Sequence, residues 1–313
     1  MRKTMRLLTP SSPLQAAALA GTLALACASS GVATGKRGGA AGPEQRPAVT
    51  AEAGNQRRLP PKIAEGSPPG VAQRAPGDGA QASTDPLSAE RGSFVSLDVP
   101  DFQPALIWVP RGNAVKPLMV ATHGAGGRPE EHCQRWRELV RDRAFVLCVR
   151  GAKINRSDPL ATSRHYYPDH LWLGRAVDAN LEAFRARFAA VADARDAVYV
   201  GYSQGAVMGA LMLMSHAETF PRALLIEGQQ NDWNVAGAKR WLAAGGRRVA
   251  LACGLLHCSQ AYERSRQSLS RAGVEVRFEY APGAGHTYAG RVGENVAKLL
   301  EWLIADDPRW SAN

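Results

Sequence analysis

The sequence predicts an α/β fold in which a mainly parallel sheet is covered by helices on both faces. From residue 93 onward, short β-branched and apolar runs alternate with longer segments whose apolar residues recur at helical spacing. Strands that alternate with helices are typical of parallel sheets, because each parallel connection needs a crossover. The chain has 313 residues, 45% of them apolar, which is enough for one sizeable domain.

The same patterns predict the individual elements. Runs with strand character lie at 93–99, 105–109, 117–122, 144–149, 198–200, 223–226, 248–253 and 274–280. Helical spacing is found at 128–143, 171–190, 236–244, 261–272 and 291–304, and a further helix of small and apolar residues follows Ser203. The first two strands are expected to pair as a hairpin, and 151–167 is expected to be a long polar loop.

The N-terminal part of the chain predicts an export signal followed by a linker. Basic residues at the start precede an apolar, alanine-rich run that ends at Cys27, which is the arrangement of a signal peptide within 1–28. Ala-Leu-Ala-Cys27 is similar to a lipoprotein cleavage site, at which Cys27 would carry a lipid anchor; ordinary signal cleavage is the alternative. Residues 29–92 are rich in Gly, Pro, Ala and Arg and predict a disordered linker. The folded domain is expected over 93–305, with a C-terminal tail at 306–313.

The net charge and the cysteines indicate which binding partners, metal sites and disulfides to expect. The formal net charge is +10, but the arginines are scattered and no nucleic-acid-binding motif is found, so nucleic acid is not expected as a partner. Four cysteines in an exported domain indicate two disulfides, and no Cys or His spacing indicates a metal site. A helix that runs back from a strand end, followed by a strand that returns to that end, brings Cys133 and Cys148 together and predicts their bond. Cys253 and Cys258, if also bonded, close a tight loop.

A serine lies in a sharp turn between a predicted strand and a predicted helix. The segment Gly201-Tyr202-Ser203-Gln204-Gly205 matches the pattern G-x-S-x-G, in which the two glycines allow the chain to turn tightly. Such a turn points the hydroxyl of Ser203 away from the sheet. The N–H of Gln204, at the start of the helix, can help to hold an oxyanion.

Two further glycine-rich segments complete a pattern. His123-Gly124-Ala125-Gly126-Gly127 follows an apolar strand, and Pro282-Gly283-Ala284-Gly285-His286 follows the last strand. The order of oxyanion loop, serine and histidine is that of α/β-hydrolases. Over about 93–304 the sequence resembles the phospholipase/carboxylesterase branch of that fold and the related secreted polyhydroxybutyrate-depolymerase and feruloyl-esterase group.

The resemblance implies a single α/β-hydrolase domain with serine esterase activity and no cofactor. Ser203 would be the nucleophile, His286 the general base, and the N–H groups of Ala125 and Gln204 the oxyanion hole. The expected substrate is a small-molecule or polymeric ester. His123 is expected to make a structural hydrogen bond in its turn. His165, His170 and His216 are expected at the surface.

The sequence departs from the family at the triad acid. Where the family has an aspartate after the strand at 248–253, this chain reads Gly254-Leu255-Leu256-His257-Cys258, with a histidine in the acid's place. The acid is expected at the end of the preceding strand, with Glu227 as first choice and Asp232 as second. A Ser–His dyad and a catalytically silent envelope binding protein remain alternatives. If Glu227 is the acid, we expect a partly buried carboxylate within about 3.2 Å of a His286 ring nitrogen, on the side away from Ser203.

Overall fold

A central sheet of eight strands organises the structure, which is a computed structural model that describes residues 87–229 and 233–311. The strands, in chain order, are β1 (Ser93–Leu97), β2 (Ala105–Val109), β3 (Lys116–Thr122), β4 (Phe145–Val149), β5 (Ala152–Lys153), β6 (His165–Tyr166), β7 (Ala192–Tyr202), β8 (Arg222–Ile226), β9 (Arg248–Cys253) and β10 (Glu275–Tyr280). The order across the large sheet is β1-β2-β4-β3-β7-β8-β9-β10, and β5 and β6 form a separate hairpin. All neighbours from β4 to β10 are parallel, whereas β2 is antiparallel to both β1 and β4.

Within the described residues, six α-helices cover the two faces of this sheet. They are α1 (Pro129–Val140), α2 (His170–Phe188), α3 (Gln204–Met212), α4 (Val235–Ala243), α5 (Leu256–Arg271) and α6 (Gly290–Ile304). The buried side chains of α1 and α6 share one apolar cluster with one face of the sheet. Those of α2, α3, α4 and α5 share a second cluster with the other face. The predicted α/β architecture, with helices on both faces, is therefore confirmed.

Two elements differ from the sequence prediction. Helix α5 begins at Leu256 rather than at residue 261, and its N-cap Leu255 makes no side-chain capping bond, so no cap residue marked the start. Strand β7 begins at Ala192 rather than at residue 198. Its first two residues pair with Lys116 and Pro117 of β3, and the register shifts before the rest of the pairing. The loop predicted at 151–167 contains the β5–β6 hairpin.

None of the helices in the described part of the chain has the length and apolar character needed to cross a membrane.

The described domain makes contacts at both of its ends. Glu90 lies within the range predicted as linker, and its carboxylate accepts a hydrogen bond from Arg187 of α2 at 2.5 Å. Trp310, in the range predicted as tail, is 2% exposed, and Asp307 pairs with Arg309 at 2.6 Å. The signal-peptide prediction, Cys27 and the rest of the predicted linker lie outside the described residues.

Both disulfides considered from the sequence are present. Cys133 of α1 is bonded to Cys148 of β4 with a Cα–Cα distance of 5.8 Å, which confirms that prediction. Cys253, at the end of β9, is bonded to Cys258 in the first turn of α5, with a Cα–Cα distance of 5.9 Å. The first bond links helix α1 to strand β4 of the sheet, and the second closes a short ring at the carboxyl end of β9.

We predict that removing the Cys133–Cys148 bond in the double variant Cys133→Ser/Cys148→Ser lowers the free energy of unfolding by about 3 kcal/mol, the value that chain entropy gives for a closed loop of 15 residues. The matched variant Cys253→Ser/Cys258→Ser opens a ring with a sequence separation of only 5, and should lose about 2 kcal/mol. Urea unfolding under non-oxidising conditions measures both. A larger loss in the second variant would contradict the chain-entropy account.

Candidate active site

Ser203 occupies the turn between strand β7 and helix α3. Its φ and ψ angles are 52° and −118°, a conformation that costs a non-glycine residue about 1–3 kcal/mol. A Cβ atom on Gly201 would lie 2.5 Å from the carbonyl oxygen of Gly205, and one on Gly205 would lie 2.5 Å from Oγ1 of Thr122. The turn therefore requires glycine on both sides of the serine, as the G-x-S-x-G pattern predicts.

His286 lies in the loop between β10 and α6 and contacts Ser203. Its Nε2 atom is 2.9 Å from Oγ of Ser203, which is a hydrogen-bonding distance. The hydroxyl of Tyr202 donates to the carbonyl oxygen of His286 at 3.0 Å, and the two rings lie 5.2 Å apart. The His286 side chain is 34% exposed, so a substrate can reach the pair from solvent.

Glu227 directly follows strand β8 and lies beside His286. Its side chain is 0% exposed, and Oε2 lies 3.6 Å from Nδ1 of His286, on the ring edge away from Ser203. Oε1 accepts a hydrogen bond from the N–H of Gly254. The carboxylate is buried, as the sequence predicts, but its distance from Nδ1 exceeds the expected limit of about 3.2 Å for a hydrogen bond. Glu227 is therefore a neighbour of the imidazole without being bonded to it.

No other described acidic residue near the end of β8 or β9 is placed to pair with His286. Asp232, the second choice, lies outside the described residues. His257, in the position where the family has its aspartate, is exposed in the first turn of α5. Glu263, further along the same helix, pairs with Arg266 at 2.6 Å. Among the described acidic residues, Glu227 is the one with an ion-pair contact to His286.

Gln229 is a neighbour of His286 that no sequence pattern indicated. Its amide Nε2 lies 2.8 Å from Nδ1 of His286. When the amide N–H donates to Nδ1, the ring proton is on Nε2, which then donates to Ser203. A half-turn of the amide presents Oε1 instead, so that Nδ1 carries the proton and Nε2 can accept from Ser203. The contact joins two loops 57 residues apart, which explains why no local motif marks it.

The predicted oxyanion loop lies directly against the serine. A Cβ atom on Gly124 would lie 3.0 Å from Cβ of Ser203, so the backbone of this loop passes as close as a glycine allows. The next residue, Ala125, is exposed at the loop tip. Gln204 is the first residue of α3, and a first-turn N–H has no acceptor within its helix. The amide side chain of Gln204 is bonded to both backbone groups of Tyr167, at 2.9 and 3.1 Å.

The described domain is similar to solved structures. No protein-family model and no curated protein matches the sequence. A candidate dienelactone hydrolase from Klebsiella pneumoniae subsp. pneumoniae has a TM-score of 0.51 and 14% identity, covering 68% of this chain and 98% of that one. A Bacillus cereus protein without assigned function has a TM-score of 0.51 and 13% identity, covering 63% and 62%. A Bacillus cereus carboxylesterase has a TM-score of 0.45 and 22% identity, covering 68% and 93%.

The fold is that of the α/β-hydrolases. The fold that the resemblance implies is therefore confirmed. At these identities the similarity establishes the fold alone, so the reaction has to be argued from the site.

Three buried histidines, His123, His132 and His165, form a layer at the predicted oxyanion loop. His123 donates from Nδ1 to the carbonyl oxygen of Gly124 at 2.8 Å and accepts the N–H of Gly151 at Nε2, at 3.2 Å. It is therefore a structural residue, as expected. His165 is fully buried, so the expectation that it lies at the surface is wrong. Its backbone pairs with Gly127 of the oxyanion loop, because the β5–β6 hairpin folds back onto that loop.

Burial lowers the pKa values of this layer. The pKa is lowered to about 3 for His123, and to about 4 for His132. For His165 it is also lowered to about 4, by burial and then by the charge of Arg150. All three side chains therefore stay neutral in the folded protein at pH values at which an exposed histidine is charged.

We predict that the free energy of unfolding decreases as the pH falls from about 6.5 to about 4. In this window the unfolded chain binds protons at His123, His132 and His165 that the folded chain excludes, so stability is fully present above the unfolded pKa and is lost below it. Each histidine contributes up to about 1.4 kcal/mol per pH unit. Urea unfolding across the window measures the slope.

A matched pair of variants tests which histidines cause the slope. His132→Phe keeps a ring against Tyr202 and Tyr288, whose ring centroids lie 5.5 and 4.9 Å from that of His132. It should lower the pH dependence of the unfolding free energy by the amount that corresponds to about one bound proton. His257→Gln, at an exposed position, should leave the slope unchanged. A slope that is the same in His132→Phe as in the parent would contradict the assignment.

Proposed function

We propose that this protein is a serine hydrolase that cleaves carboxylic esters through an acyl-enzyme. The observation that carries the proposal is the 2.9 Å contact between Oγ of Ser203 and Nε2 of His286, at the tip of a strained turn. A serine hydroxyl is a weak nucleophile unless an adjacent base takes its proton. The strained conformation also indicates a functional position, because such strain persists mainly where the surrounding structure enforces it.

The reaction follows from the positions of the surrounding groups. Nε2 of His286 takes the proton of Ser203 as Oγ attacks the ester carbonyl, and then gives it to the leaving alcohol. We assign the N–H groups of Ala125 and Gln204 to the oxyanion hole. Backbone donors that already point at the developing negative charge stabilise the tetrahedral intermediate. Water then attacks the acyl carbonyl and loses a proton to Nε2, which returns it to Oγ of Ser203 as the bond to the acyl group breaks and the acid leaves. Each of these steps uses only protein groups and water.

We assign Glu227 as the acid that stabilises the imidazolium form of His286. Its buried carboxylate, 3.6 Å from Nδ1, supplies a negative charge on the correct edge of the ring. Catalytic hydrogen bonds are often long in the unliganded enzyme and shorten in the reacting complex. Gln229, in the orientation that presents Oε1 to Nδ1, holds the ring in the tautomer that leaves Nε2 free to act as base.

The alternative is a catalytically silent hydrolase-fold binding protein, and one observation favours it. The amide nitrogen of Gln229 lies 2.8 Å from Nδ1, and a donor at that position places the ring proton on Nε2. In that tautomer His286 cannot accept the proton of Ser203. Turnover by the wild-type protein therefore decides between the two functions.

The proposal includes the compartment and the general substrate class. The N-terminal features of 1–28 support export, and lipidation at Cys27 would retain the protein at the cell envelope. Two disulfides are typical of proteins in oxidising compartments. The substrate is a small-molecule or polymeric ester that reaches the open Ser203–His286 pair from solvent.

We predict that a fluorophosphonate probe labels the folded wild-type protein and that Ser203→Ala abolishes labelling. The same variant should lower kcat on a chromogenic ester by up to about a million-fold, the loss typical of a missing nucleophile. Ser215→Ala serves as the control, because Ser215 is exposed just beyond α3 and should label as the wild type does. Folded wild-type protein without any labelling would establish the silent alternative.

We predict that Glu227→Gln lowers kcat by up to about ten-thousand-fold with little change in KM, since a neutral amide cannot stabilise the imidazolium. Gln229→Ala should lower kcat by about tenfold or less, because Glu227 keeps its position, and Asp232→Asn should have little effect. Steady-state kinetics on one ester measures all three variants. A loss in Gln229→Ala equal to that in Glu227→Gln would make Gln229 the main partner of His286, and a dominant loss in Asp232→Asn would move the acid there.

A further inference from the structure

Two cysteines and the buried glutamate converge next to the candidate active site. The sulfur atoms of Cys253 and Cys258 and a carboxylate oxygen of Glu227 all lie within 4.8 Å of one another, and all three residues are buried. Across residues 87–229 and 233–311, this is the only such group of three or more His, Cys, Asp or Glu donors. The oxidised pair is a disulfide, so the sulfurs carry no thiolate charge as they stand.

One oxygen of Glu227 is left without a hydrogen bond. Oε1 accepts from the N–H of Gly254, which lies inside the ring closed by the disulfide. Oε2 is buried and has no hydrogen-bond partner within the described residues. A buried carboxylate oxygen without a donor is costly unless a positive charge compensates it. The carboxylate that lies beside the two sulfur atoms therefore has one oxygen without a hydrogen bond.

We propose that reduction of the Cys253–Cys258 bond creates a binding site for a thiophilic divalent cation such as Zn²⁺ or Cd²⁺. Its ligands are the two thiolates and the carboxylate of Glu227. Metal–sulfur and metal–oxygen bonds in zinc sites are about 2.3 and 2.1 Å long, so tetrahedral ligands stand about 3.5–3.8 Å apart. The three donors already lie within 4.8 Å, and the sulfurs can separate to this spacing once their bond is broken.

A phosphine supplies the two electrons that reduce the Cys253–Cys258 disulfide. A phosphine attacks one sulfur of the disulfide, and the other leaves as a thiolate; water then transfers its oxygen to phosphorus. The products are two thiols and a phosphine oxide, so the disulfide gains two electrons and two protons. Cation binding releases both thiol protons, because thiolates rather than thiols are the ligands.

The expected consequence rests on the proposed function. A cation bound to Glu227 neutralises the charge that faces Nδ1 of His286, so the imidazolium loses its stabilising partner. The reduced, cation-loaded protein should therefore be a poor hydrolase, whereas the oxidised protein should be insensitive to the same cation. A chelator should restore the reduced protein.

The binding test uses the full chain with Cys27→Ser, so that only the four cysteines of the two disulfides remain. The protein is reduced with a small water-soluble phosphine, freed of reductant without oxygen, and titrated with Cd²⁺. The thiolate-to-cadmium charge-transfer absorbance should saturate at one Cd²⁺ per chain in the reduced protein and be absent in the oxidised protein. Near-ultraviolet circular dichroism reports the fold; a reduced chain that has lost its native spectrum overturns the proposal.

Matched cysteine variants locate the site. Cys253→Ser/Cys258→Ser should abolish the charge-transfer band after reduction. Cys133→Ser/Cys148→Ser, which removes the other disulfide, should keep the band and its stoichiometry. A band that follows the second pair instead of the first overturns the proposal.

A matched carboxylate pair tests the third ligand. Glu227→Gln should weaken Cd²⁺ binding at least tenfold while the thiolate band remains, because an amide oxygen is a poorer ligand than a carboxylate. Glu263→Gln, an acidic position on α5 that pairs with Arg266, should bind as the parent does. Equal affinity in Glu227→Gln and Glu263→Gln overturns the three-ligand site.

Activity separates this proposal from the proposed function. Ester turnover of the reduced parent should be lost on adding Cd²⁺ and recovered with a chelator, and Cys253→Ser/Cys258→Ser should be insensitive. Cadmium binding without inhibition keeps the metal site and overturns Glu227 as the catalytic acid. Inhibition that persists in Cys253→Ser/Cys258→Ser overturns the link between this site and turnover.

Discussion

Ser203 holds a backbone conformation that its own side chain disfavours, and three neighbouring segments keep it there. Its N–H donates to the carbonyl oxygen of Ile226 at 2.8 Å. The N–H of Gly205 donates to the carbonyl oxygen of His123 at 3.1 Å, and the hydroxyl of Tyr199 donates to the carbonyl oxygen of Gly205 at 2.8 Å. Three such bonds, each worth about 0.5–1.5 kcal/mol net, are enough to offset a strain of about 1–3 kcal/mol. The oxyanion loop, β7 and β8 therefore define the turn together.

The parallel register decides which residues can join the serine. Tyr202 of β7 lies beside Ile226 of β8, which lies beside Ala252 of β9. The next residues along these three strands form one row at the carboxyl edge of the sheet: Ser203, Glu227 and Cys253. Adjacent strands are about 4.7–4.9 Å apart, so an acid after β8 is one strand from the serine and an acid after β9 is two. Our proposal that Glu227 takes the place of the family's aspartate relies on this adjacency, and the same row places the Cys253–Cys258 disulfide beside Glu227.

The sequence predicted those parts of the site that depend on local backbone geometry. The turn at Ser203 is marked by its flanking glycines, and Glu227 followed from strand adjacency, because a buried strand runs directly into it. Gln229 contacts His286 only through the return of a distant loop, so no periodicity could indicate it. His165 was expected at the surface because it lies in a polar segment, but its backbone pairs with Gly127 and its ring lies 6.2 Å from that of His123. The start of α5 at Leu256 was missed because the helix begins without a capping side chain.

If Glu227 is the acid, as we propose, its unsatisfied oxygen is a catalytic feature and not a packing defect. In the resting site Oε2 is buried without a donor, 3.6 Å from a histidine ring. Only an interaction that is stronger in the transition state than in the ground state accelerates a reaction. In the proposed mechanism, His286 becomes a cation when it takes the proton of Ser203, and the buried carboxylate then faces a positive charge 3.6 Å away. A carboxylate already fully hydrogen-bonded would have less to gain at that moment, so the open oxygen makes its stabilisation specific to the charged state of the ring.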